Sequence, residues 1–178
     1  MLGKTQDAAI TALAHGATVT SSKDVNEEGN SVKKSVTVAL TAEPADSRSG
    51  TPTVYLGLDA DGKVIQAGYS AATASLGYGS LSFADAVKNE HIVEKTLREA
   101  GVNVADGSAK LPTDKTSYST YASDGTTLVK ENCSFNGTVD INGAAHTWSS
   151  VLMYDYSTAN ASGNLADTVR IIYIYINA

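Results

Sequence analysis

The chain has 178 residues and a net charge of −6: a length that fits one domain, and a balance that excludes a nucleic-acid backbone or an anionic membrane as its main partner. Two Phe and one Trp stand against nine Tyr, so the core is thin and the aromatic content suits half-wet surfaces and subunit contacts. A single Cys excludes an intrachain disulfide and a cysteine-rich metal centre, and no apolar run reaches the length of a membrane span.

Residues 5–15 read as a short helix, with Thr5 as cap, Asp7 in the first turn and Gly16 as a stop. Its apolar positions, Ala8, Ala9, Ile10, Ala12 and Leu13, are mostly alanine and offer a small, flat contact face. A helix this short must dock on something. Residues 21–31 are polar and read as a loop, so 1–34 is expected to be an N-terminal helix and polar arm ahead of a single β-rich domain over 35–178. In 35–41 the alternation of Val36, Val38 and Leu40 predicts a strand. Residues 53–58 and 63–69 flank Asp59-Ala60-Asp61-Gly62 and predict a hairpin, because Asp-Gly supplies left-handed turn geometry. No element is assigned to the Ala-, Ser- and Gly-rich stretch 70–80.

Residues 82–100 predict one amphipathic helix, with Ser82 and Asp85 at a capping start, Phe83, Ala86, Val87, Val93, Leu97 and Ala100 at helical spacing, and Gly101 at the end. The polar segment 102–127 is either a loop or an extended arm. Beyond it, strands over 127–135, 138–141 and 147–156 are separated by Asn136-Gly137 and Asn142-Gly143, which read as two hairpin turns of a tight meander. The last strand, 168–177, is the centre of the expected fold. Ile172, Ile174 and Ile176 lie on one of its faces and Ile171, Tyr173 and Tyr175 on the other, so both faces want cover. The sum is a β-rich α+β fold: an antiparallel β sandwich or barrel-like sheet, one packed amphipathic helix (82–100) and a short N-terminal helix.

No motif carries chemistry. Asp59, Asp61 and Gly62 match only the opening of a calcium loop, without the further oxygen ligands or the distal Glu, and read as a turn. Cys133, Asp140 and His146 share one meander, but nothing in the sequence brings them together as nucleophile, base and orienter. His15, His91 and His146 lack metal-ligand spacing, and Gly77-Tyr78-Gly79 lacks the rest of a phosphate-binding fingerprint. Three Asn-X-Ser/Thr triplets, at Asn132, Asn136 and Asn160, are expected by chance in a chain this rich in Asn, Ser and Thr. No catalytic residue, cofactor or metal is therefore assigned, and an enzymatic role ranks last.

Two functional expectations remain. The first is a non-enzymatic structural subunit that binds copies of itself as a homo-oligomer or decorates a larger protein scaffold, with no nucleic acid and no membrane as partner. Its expected contact residues are Ile172, Tyr173, Ile174, Tyr175, Ile176, Ile10 and Leu13. Lacking a signal-peptide pattern, such a chain is expected to be made in the cytoplasm and to end in an assembled particle: a virion component such as a tail tube or capsid decoration, or a bacterial surface assembly. The alternative is a carbohydrate- or ligand-binding β sandwich with Trp148, Tyr154 and Tyr156 as its platform.

Overall fold

A computed structural model describes residues 1–178. In chain order the elements are α1 (Gln6–Leu13), β1 (Ala17–Asp24), β2 (Lys34–Leu40), β3 (Thr53–Leu58), β4 (Val64–Ala72), α2 (Phe83–Lys88), α3 (Ile92–Glu99), β5 (Ser119–Tyr121), β6 (Leu128–Ile141), β7 (Ala144–Asp155), α4 (Ser157–Ser162) and β8 (Val169–Asn177). The β-rich terminal strand does sit at the centre. β8 pairs antiparallel with β4 on one side and β7 on the other, within one eight-stranded sheet of order β1-β2-β3-β4-β8-β7-β6-β5. Its Ile- and Tyr-rich composition suits a position where both edges are hydrogen-bonded.

The sheet is open. Its end strands, β1 and β5, do not pair with each other, and there is no second sheet, so neither barrel nor sandwich forms within the chain. α1, α2 and α3 all lie on one side, here called the inner face. α1 lies over β2–β4, where Ala9 is fully buried against Val36, Val38 and Leu56. α2 and α3 lie over β6–β8, and Phe83, Val87, Ile92, Val93 and Leu97 pack on Phe135, Trp148, Leu152, Tyr154, Ile172 and Ile174. These are two separate cores, and Tyr69 on β4 touches both.

The single helix expected over 82–100 is two. α2 ends at Lys88, and α3 starts after His91, which adopts left-handed backbone (φ 51°, ψ 43°). In one continuous helix Ile92 would point about half a turn away from Phe83. Breaking the helix at Asn89–His91 re-phases it, so that Phe83 (1 % exposed) and Ile92 (0 %) both face the sheet. The Ser82 hydroxyl does cap α2, accepting from the Asp85 amide.

Asn136-Gly137 is not a turn. β6 runs straight through it, and Gly137 pairs with Trp148 across the ladder. The turn belongs to Asn142-Gly143, both at positive φ, as the Asn-Gly signal requires. Residues 21–24, read as loop, extend β1, which pairs with β2 from Ala17 to Asp24. The segment 102–127 is held as a strap: Val102, Val104 and Ala109 enter the main core, and the Ala109 amide donates to Glu94. No helix is long and apolar enough to cross a membrane.

Candidate functional site

Two surfaces stand out, one on each face of the sheet. On the inner face the two cores leave between them a cleft of about 1000 Å³. Val54, Ala67, Tyr69, Ile174 and Ile176 form its floor. Leu13 and His15 at the end of α1 make one wall, Thr96, Glu99 and Val102 the other, and the hairpin tip at Ile141, Asn142 and His146 stands at one end. The cleft exists because α1 is faced with alanine and covers only the β2–β4 half of the sheet. His15 Nδ1 lies 2.6 Å from a Glu43 carboxylate oxygen at the rim. His146 is committed as well, its Nδ1 donating to the Asn177 carbonyl at 3.0 Å. Burial pushes the Tyr69 phenol pKa up, and the Glu43 and Glu99 carboxylates push it further.

The outer face is the one that α1, α2 and α3 leave uncovered. Direct pairing puts Thr37, Tyr55, Gly68, Tyr175, Ser149 and Asn136 in one row across six strands. The next row holds Thr53, Ser70, Tyr173, Val151 and Ser134, and beyond it come Ala72, Ile171, Met153 and Asn132. None of these side chains is charged. Charge on this face stands at its margins, at Asp155 and Lys130, at Asp140 near the β6–β7 tip and at Lys23 on β1. The Tyr55 and Tyr175 rings meet at 6.1 Å between centroids, and the Tyr55 hydroxyl lies 3.1 Å from Ser70 Oγ. Tyr55, Tyr173, Tyr175, Val151, Ile171 and Met153 are each half-buried. Burial raises the Tyr173 and Tyr175 pKa values, with the Tyr55 phenol adding to it.

The seven residues expected to share one contact surface are divided between the faces. Ile172 (0 % exposed) and Ile174 (2 %) lie beneath the helices, and Ile176 joins Ile174 in the cleft floor. Ile10 and Leu13 pack on the smaller core, Leu13 also reaching the cleft. Only Tyr173 and Tyr175 look outward. The expected sugar platform is interior: Trp148 is 3 % and Tyr154 1 % exposed, and Tyr154 meets Phe83 edge-on at 5.3 Å. The Tyr156 hydroxyl donates to Glu131 at 2.6 Å. Trp148 and Tyr154 are thus closed to a ligand, and Tyr156 is half-buried.

The other sequence candidates resolve into local structure. Cys133 and Asp140 stand seven positions apart on one strand, about 23 Å. Burial raises the Cys133 thiol pKa. Asp59 Oδ1 accepts the Asp61 and Lys63 amides and closes the β3–β4 turn. Sequence reasoning missed Tyr55, Gly68, Glu43 and Glu99. The signal for Tyr55 was there: it occupies the parity of β3 opposite to Val54 and Leu56, as Tyr173 and Tyr175 do opposite the core isoleucines of β8.

Comparison with family models, with curated proteins and with solved structures gives no match to the chain.

Proposed function

We propose that the protein is a non-enzymatic assembly subunit whose outer sheet face packs against the same face of another copy. The observation that carries this reading is the tyrosine-centred and uncharged middle of that face, with charge only at its margins, in a chain of net charge −6. A charge-free centre meets its own copy without like-charge repulsion, which suits an isologous two-fold contact. Tyrosines at its centre bury apolar area while their hydroxyls keep hydrogen-bond partners. Two sheets stacked in this way make a sandwich between chains, the architecture that one chain alone does not form.

The sheet edges allow growth beyond a pair. β1 has no outer neighbour, and β5 covers only residues 128–131 of β6, leaving 133–141 as open edge. Such edges accept further strands, so the same subunit can build a repeating particle of the virion or surface-layer kind.

The test is to put charge into the joint. Val151→Lys and Tyr173→Lys each place ammonium groups from both copies against one another, so each is expected to return the assembly to monomer with its circular dichroism unchanged. If the mass in solution is unaltered by both variants, the outer face is not the joint.

A further inference from the structure

We propose that the inner-face cleft binds an amphipathic cation, an aliphatic chain or arylalkyl group that carries an ammonium head. The cleft lies on the face opposite the proposed joint, so this inference stands or falls apart from the assembly reading.

Its size comes first. At about 1000 Å³ it lies at the upper end of small-molecule sites. The floor of Val54, Ala67, Ile174 and Ile176, with Leu13 in the wall, gives a ligand apolar contact along its length. Each methylene buried there adds to affinity, so a longer chain binds more tightly.

The polar groups decide the head. Glu43 and Glu99 reach the cleft from opposite walls, and Tyr69 rises from the floor between the two cores. All three groups line the same cleft, and both carboxylates raise the Tyr69 phenol pKa. Tyr69 takes no hydrogen-bond partner from the chain, and its ring offers a π-face to a cation. Of the groups able to oppose this preference, His15 is engaged with Glu43 and His146 with the Asn177 carbonyl, which leaves the Met1 amino group in the same lining. An anionic head would meet Glu99, whose carboxylate has no basic partner, beside the Glu43 carboxylate that His15 engages; an ammonium meets the same Glu99 carboxylate and an aromatic ring.

The experiment is isothermal titration of the full chain with decyltrimethylammonium and with decanoate, each below its micelle concentration. The cation is expected to bind about tenfold more tightly than the anion or better, a difference of about 1.4 kcal/mol. Glu99→Gln should remove much of that preference while leaving the His15–Glu43 pair in place, and Glu43→Gln with Glu99→Gln should remove most of it. Ala67→Trp and Ile176→Trp fill the floor, and whichever keeps the wild-type circular dichroism should lose binding of both amphiphiles. The proposal is overturned if decanoate binds as well as the cation, if the cation does not bind at all, or if filling the cleft leaves binding intact.

Discussion

Gly68 lies directly opposite Tyr175, and the Tyr175 ring fills the space where a Cβ on Gly68 would stand. The ring therefore lies down on the β4 backbone instead of standing away from the sheet, and it meets Tyr55 one strand further on. A glycine in the middle of a strand normally costs stability. Here it lowers the tyrosine into a smooth outer face.

Gly68→Ala should accordingly lift the Tyr175 ring. The ring is only half-buried and has room to swing, so the change in stability should stay within about 1 kcal/mol. Self-association should weaken clearly. Parallel measurements of chemical denaturation and of solution mass check the two halves of this prediction.

The same device recurs on the inner face, with the opposite consequence. A Cβ on Gly137 would stand 2.7 Å from the Trp148 ring, which is 3 % exposed and locked in the core. Gly137→Ala should cost about 1–3 kcal/mol as an overpacked core site. Trp148 is the only Trp, so its fluorescence should also shift, which makes the effect visible without a label.

His91 is held at φ 51° between α2 and α3, and its Nδ1 is buried without a partner. Left-handed backbone costs a non-glycine residue roughly 1–2 kcal/mol, and an unmet buried polar atom adds to that. His91→Gly relieves both and loosens the unfolded chain in return. The melting temperature should hold or rise. A clear fall would mean that the imidazole itself holds the two helices together.

Stability should fall on the alkaline side. Burial, then the hydrogen bond to Glu131, raises the Tyr156 pKa far above its ordinary value of 10.0, and burial raises Tyr154 as well. A folded-state pKa above the unfolded one gives stability that is full below about pH 10 and is lost as pH rises past it. Denaturation monitored from pH 8 to 12 should show this loss. Tyr156→Phe should take about one proton out of the transition.

How much of this was legible depended on how local the cause was. The β3–β4 hairpin, the alternation of β2, the caps at Thr5 and Ser82 and the centrality of β8 all rest on neighbours in sequence, and they could be read directly. β1 was hidden because an edge strand in water carries Ser, Thr, Lys and Asp like a loop. The Asn136-Gly137 pair carries a turn signal, but a tryptophan on the next strand needs that glycine flat. Likewise Ile92 fits a helical face only if the chain breaks before it. The cleft was out of reach for a different reason. It is the distance between two helix groups on one sheet, and no stretch of sequence encodes that gap.

The central claim is that the outer face joins copies of this chain. The most direct measurement is the absolute mass of the wild-type protein in solution, by light scattering over a wide range of concentration. The assembly reading predicts a mass that climbs to a multiple of one chain and collapses to one chain in Val151→Lys. A mass of one chain at every concentration would contradict it.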